Sequence, residues 1–117
     1  MRIVVTGGRD YKDKVYLFSV LDDLDISFMA MGDAKGADEL AKEYAVVKNI
    51  PYRVFKADWD LYGKKAGPIR NEEMIKIIEP DLVVAFRGGK GTEDCVRKAM
   101  ELSIPVLFKY KKKGGLE

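Results

Sequence analysis

The 117-residue sequence predicts an α/β fold: one three-layer domain with a five-stranded, mostly parallel sheet in the order 3-2-1-4-5 and helices on both faces. Three observations predict it. Short apolar, β-branched runs recur five times. Segments with helical spacing separate them. The loops after the first and fourth runs are rich in glycine and lead into helices. The length suits a single domain with one modest core, placed at residues 1–110, with 111–117 as a flexible basic tail.

The first run, RIVVT (2–6), is short and apolar, like a strand buried on both faces. Val15, Phe18, Leu21 and Leu24 then recur at helical spacing. ISFMAM (26–31) reads as the second strand, and Leu40, Ala41, Tyr44 and Ala45 mark the second helical face. PYRVFKA (51–57) is the third strand, followed by a long polar loop, DWDLYGKKAGP. Met74, Ile77 and Ile78 mark a third helix, with Pro68 suited to its first turn. DLVVAF (81–86) is the fourth strand. Cys95, Ala99 and Leu102 mark the last helix, and PVLFKY (105–110) the fifth strand.

Right-handed crossovers leave few layouts for this alternation. In the order 3-2-1-4-5 the winding reverses between strands one and four, and ligands of such sheets bind at that reversal, outside the carboxyl ends of the strands. The loops leaving those strands are TGGRDY (6–11) and RGGKGT (87–92), so the layout makes them converge.

Each loop carries groups suited to an anion. In RGGKGT, Gly88, Gly89 and Gly91 leave no Cβ between peptide N–H groups and a ligand. A helix starting near Gly91 and Thr92 adds unpaired N–H groups and the positive end of its dipole. Thr92 can donate its hydroxyl to the anion or cap the helix. The spacing is not that of a Walker P-loop, and turn geometry alone also explains the glycines. In TGGRDY, Thr6, Gly7 and Gly8 end the first strand, and Arg9 offers a fork of donors that fits phosphate. Asp10 can accept from a sugar hydroxyl or a base edge, or pair with Arg9. GDAKGAD (32–38) follows the second strand in the same way. Gly32, Gly36 and Ala37 permit close approach there, while Asp38, like Asp33, suits either a helix cap or a ligand. In GPIRNEEM (67–74), Arg70 and Asn71 fall in the first turn of a helix and can close over the same cleft. Trp59 and Tyr62 are candidates for stacking on a base, or for plugging the core.

Composition narrows the field. With 21 basic and 19 acidic residues the net charge is +2, which argues weakly against a nucleic-acid partner. The single cysteine, Cys95, precludes an intramolecular disulfide, and the absence of histidine argues against a zinc cluster and removes the commonest general base. No metal or cofactor is expected. No apolar run of about 18 residues suggests a membrane span, so the expected setting is the cytoplasm with no membrane partner. Lys109, Lys111 to Lys113 and Glu117 read as a solvated tail. Pairing through helices into a homo-oligomer is compatible with a domain of this size.

Taken in order and spacing, GGRDY, GDAKGAD, ADWDLYGKKAGPIRN and FRGGKGT resemble the YspA/cpYpsA-related branch of the SLOG superfamily over about residues 2–108. The superfamily takes its name from the Smf/DprA and LOG ("lonely guy") proteins. The resemblance implies a Rossmann-like fold and a nucleotide or nucleotide derivative as partner. LOG members are phosphoribohydrolases that split nucleoside monophosphates; other relatives carry molybdenum cofactor, bind single-stranded DNA or sense nucleotide messengers. Gly88, Gly89, Gly91 and Thr92 match the LOG signature PGGxGTxxE, which implies phosphate binding, and Arg87 replaces its proline. Arg70, Asn71 and Met74 resemble the upstream arginine-lysine pair and methionine, with Asn71 in place of lysine. Cys95 stands where the catalytic glutamate is expected, on a predicted apolar helix face where a thiol is inert. Glu93 and Asp94 are its neighbours, but one residue turns a helix by about 100°.

Three readings follow. The first is a binding module for a nucleotide derivative. The second is a LOG-like hydrolase of the N-glycosidic bond, for which Asp10, Asp38, Asp94 and Arg70 are the catalytic candidates. The third is a single-stranded DNA binder of the DprA kind, which wants a basic groove with stacking aromatics.

Overall fold

The computed structural model describes residues 1–110; the expected basic tail, 111–117, lies outside them. The chain runs β1 (Arg2–Thr6), α1 (Lys14–Asp22), β2 (Phe28–Gly32), α2 (Ala37–Val47), β3 (Tyr52–Phe55), α3 (Trp59–Tyr62), a 3-10 turn (Gly63–Lys65), α4 (Ala66–Ile78), β4 (Leu82–Phe86), α5 (Lys90–Glu101) and β5 (Val106–Lys109). The strands form one sheet in the order β3-β2-β1-β4-β5. All four pairings are parallel, with Val5 opposite Met31 and Val84.

Period-two alternation splits the core into two layers. Ile3, Val5, Met29 and Met31 face α1 and α2, where Leu17, Leu21 and Tyr44 meet them. Val4, Ala30 and Val83 face α4 and α5, packing against Met74, Ile75, Cys95 and Ala99. Both sheet faces are thus covered, and the loops at the carboxyl ends of β1, β2 and β4 are left to form a surface cleft.

Local chemistry explains where the structure departs from the predicted elements. Asp13 caps α1, its Oδ1 accepting the N–H of Tyr16 at 3.1 Å. That places Val15 in an exposed first turn (82% accessible) and moves the buried stripe to Leu17, Val20 and Leu21. Leu24 lies past the end of the helix. In α4 the buried position is Ile75 and Ile77 is exposed, while Leu102 forms the exposed C-cap of α5. The expected polar loop at 58–68 is instead α3, the 3-10 turn and the start of α4. Asp58 starts α3 by accepting the N–H of Leu61 at 3.1 Å. No helix among the described residues is long and apolar enough to cross a membrane.

The loops are fastened to one another by backbone. Gly8 N–H donates to Arg87 O at 2.9 Å, and Gly8 O accepts from Ala37 N–H at 3.1 Å. Gly36, at φ +79°, lies against the first loop so closely that a Cβ there would come within 2.6 Å of Arg9 O and meet Gly8 O as well. Both the φ and the contact demand glycine. Gly36→Ala is therefore expected to lower stability by about 1–3 kcal/mol in urea denaturation. An unchanged midpoint would show that the two loops are not packed this way.

Candidate functional site

A cleft of about 760 Å³ opens where β1, β2 and β4 end, within the range of small-molecule sites. Thr6, Gly7, Gly8 and Arg9 form its floor and one edge. Gly89, Lys90, Gly91 and Thr92 bring in the first turn of α5. Gly32, Ala34 and Asp38 come from the end of β2 and the start of α2. Trp59 and Lys64 on one segment, and Gly67, Pro68, Arg70, Asn71 and Met74 on α4, close the far wall.

Of the residues expected to bind ligand, Thr6, Gly7, Gly8, Arg9, Gly32, Asp38, Arg70, Asn71, Gly89, Gly91 and Thr92 line this cleft. Asp10 and Gly88 lie in an adjoining recess that shares Gly8, Arg9 and Gly89 with it. Gly36 and Ala37 line neither and act through packing against the first loop. Gly88 has a packing role too, since a Cβ on it would come within 2.7 Å of Gly8 N. Gly89 and Gly91 have open space where a Cβ would stand.

The start of α5 turns uncapped backbone N–H groups toward the cleft. Its N-cap is Gly89, with no side chain to satisfy the first N–H groups, and Thr92 lies inside the helix. Three exposed cations, Arg9, Lys64 and Lys90, stand on the cleft. Lys64 and Lys90 were not singled out from sequence, although both flank glycines within quoted motifs. Trp59 is 51% accessible on the cleft wall, so it does not plug the core.

Arg70 is held in place. Its Nε donates to Asn71 Oδ1 at 2.9 Å, and its Nη1 to Asp33 Oδ1 at 3.1 Å and Phe55 O at 3.2 Å. The guanidinium lies across Gly32, where a Cβ would sit 2.7 Å from Arg70 Cζ and 2.8 Å from Asp38 Oδ2. Asn71 in turn donates to Gly91 O at 3.2 Å and Asp94 Oδ2 at 3.1 Å, tying α4 to the first turn of α5.

The carboxyl groups differ sharply. Asp94 is bound by Lys98 Nζ at 2.8 and 2.9 Å and by Arg97 at 2.7 Å, and it does not line the cleft. Burial alone would raise its pKa, but hydrogen bonds from Lys98 and Asn71 and the charges of Lys98 and Arg97 outweigh that and hold it below the ordinary carboxylate value. Asp38 is only 6% accessible and does line the cleft. It is not the helix cap, a position taken by Gly36. Its Oδ2 accepts the N–H of Ala34 at 3.2 Å. Burial pushes its pKa up to about 6; Arg70 and the Ala34 N–H oppose that rise, and Asp33 adds to it.

Cys95 is fully buried, as its helical spacing predicts. Burial pushes its thiol up to about 12, against the opposing hydrogen bond with Thr6, so it is no nucleophile near neutral pH. Among the described residues no group of three or more histidine, cysteine or acidic side chains is placed to hold a metal.

The pattern of the YspA, cpYpsA-related SLOG family matches residues 1–62, which carry TGGRDY, GDAKGAD and the start of the Trp59 segment. The chain is also 36% identical to the Gene 61 protein of Mycobacterium phage D29, over 91% of this chain and 94% of that protein. Among solved structures it is similar to the UDP-GlcNAc 2-epimerase of Neisseria meningitidis, determined bound to UDP-GlcNAc, with a TM-score of 0.57 at 15% identity. The corresponding enzyme of Methanocaldococcus jannaschii gives 0.53 at 18%. Each comparison covers 92% of this chain but only 31% of the enzyme, and at such identities the likeness is one of fold.

Proposed function

The chain belongs to the YspA, cpYpsA-related SLOG family, and from that premise we propose that it binds a phosphate-bearing nucleotide derivative in the cleft described above. One observation carries the reading. The uncapped first turn of α5, with Gly89, Gly91 and Thr92, shares a single cleft with three exposed cations, the half-exposed ring of Trp59 and the buried carboxyl of Asp38. Phosphate suits the helix start and the cations. A base suits the indole face, and a polar middle portion suits Asp38.

Thermal-shift screening with nucleoside 5′-monophosphates and ADP-ribose tests it. A ligand at a hundred times its Kd adds about 2.7 kcal/mol of stability. Stabilisation by phosphorylated nucleosides, but not by the unphosphorylated nucleosides, is expected. Lys90→Ala is expected to weaken AMP binding by about tenfold, the scale of one charge-assisted bond, while leaving the melting temperature of the free protein unchanged, because Lys90 is exposed. A protein stabilised by none of these ligands would contradict the reading.

Hydrolysis of the N-glycosidic bond is the second reading, and the Asp38 carboxyl favours it. A buried carboxyl titrating near 6 at a cleft wall has the character of a general acid or base. Against it stand the buried Cys95 at the position of the signature glutamate and the tethered Asp94. Incubation with AMP is expected to release no free adenine by chromatography. Steady release that disappears in Asp38→Asn would favour the hydrolase instead.

A further inference from the structure

Asp38 is 94% buried from solvent, yet it lines the cleft, and only one of its oxygens is engaged. Oδ2 takes the Ala34 N–H, while Oδ1 has no hydrogen-bond partner among the described residues. Arg70 lies close across Gly32, but its ion pair is with Asp33 rather than Asp38. Oδ1 is not sealed in the interior, where among the described residues the Tyr11 hydroxyl is the buried side-chain polar atom without a partner; it opens on the cleft that Asp38 lines and is free to take a donor brought by a ligand.

The sheet order says what that donor is. The cations Arg9 and Lys90 and the start of α5 sit over the ends of β1 and β4, whereas Asp38 follows β2, on the far side of β1. Neighbouring strands are about 4.8 Å apart, so Asp38 stands roughly one strand away from the phosphate end. Trp59 precedes α4, which packs on the sheet face opposite α2. In a 5′-nucleotide the group between phosphate and base is the ribose, and a carboxylate offers its hydroxyls an acceptor with no donor of its own.

Resting on the reading of the cleft given above, we propose that Asp38 is the specificity-determining acceptor for the ribose hydroxyls of the ligand, so that the site selects ribonucleotides over their deoxy counterparts. Arg70 and Gly32 position it: the guanidinium and the missing Cβ fix the space in which the carboxyl lies. A site built to bond a hydroxyl rejects the analogue lacking it, because its own polar group is then left unpaired.

Calorimetric titration tests this with AMP, 2′-deoxy-AMP, 3′-deoxy-AMP and IMP against the wild-type protein, Asp38→Asn and Asp38→Ala. The expected result is that the wild type prefers AMP to at least one deoxy form by about ten- to a hundredfold. That preference collapses in both variants, while the ratio of AMP to IMP affinity stays as it was. The second variant guards against a folding defect or a surrogate acceptor in the first. Wild-type binding of AMP without such a preference, or a preference that survives both substitutions, overturns the inference while leaving the cleft reading in place. A change that follows AMP against IMP instead would assign Asp38 to the base and also overturn it. Absence of binding by all four nucleotides removes the cleft reading and the inference together.

Discussion

Arg70→Ala is expected to cost both binding and stability, with AMP affinity reduced by about ten- to a hundredfold and unfolding free energy lowered by about 2–4 kcal/mol. The guanidinium is mostly buried and donates to Asn71, Asp33 and the carbonyl of Phe55. Removing it leaves the Phe55 carbonyl and Asp33 short of a donor, loosens the contact between β3 and α4, and frees the carboxyl of Asp38 to move over Gly32. It also takes away a charge that holds the Asp38 pKa down, so that pKa rises further above 6. The sequence marks Arg70 as a residue that can close over the cleft; the network adds a structural role, so binding and stability are lost together at this position. Urea denaturation beside calorimetry checks both parts. Unchanged stability would mean that the network contributes nothing, and unchanged affinity would place the ligand elsewhere.

Asp38→Asn is expected to stabilise the free protein at pH 7.5, by about 1–3 kcal/mol. The reasoning is proton linkage. The folded pKa of about 6 lies above the ordinary 3.8, so between those values the folded state holds more protons than the unfolded one. Stability therefore falls as pH rises from about 4 to about 6, and the full cost of ionising the buried group is present above that. Two pKa units correspond to about 3 kcal/mol. Part of that gain is offset because an ionised group in the first turn of α2 is favoured by the helix dipole, by about 0.3–1 kcal/mol. The gain should shrink to nothing below pH 4, where the wild-type carboxyl is already neutral. A substitution that stabilises the protein while impairing its ligand preference is the mark of a group kept for function. Destabilisation by Asp38→Asn at pH 7.5 would show that the carboxylate serves the fold, and the case for it as a ligand group would lose its main support.

Much of this molecule was legible in the sequence because its signals are local. Strands such as Ile3 to Val5 and Val83 to Ala85 are apolar on both faces, as a parallel sheet covered by helices requires. Glycine pairs after β1 and β4 marked loops that the strand order must bring together. Errors arose where one cap decides a helix's phase. Asp13 starts α1 so that Leu17 rather than Val15 faces inward, and spacing alone does not choose between two stripes that share Leu21. The short helix at Trp59 was hidden by its polar surface, and with it the exposure of the ring. The distinction between Asp38 and Asp94 was not legible at all. Both are acidic residues in the first turn or two of a helix, and both are buried. Only the fold shows that Lys98, Arg97 and Asn71 surround one, while the other keeps a free oxygen in the cleft.

The measurement that bears most directly on the cleft is an NMR titration of the ¹⁵N-labelled protein with AMP. Saturable shifts are predicted for the backbone amides of residues 7–9, 32–38 and 88–92, together with the indole N–H of Trp59, and those shifts should weaken in Lys90→Ala. An unperturbed spectrum at millimolar AMP and ADP-ribose, or shifts gathered on the far side around Phe108 and Tyr110, would contradict the account.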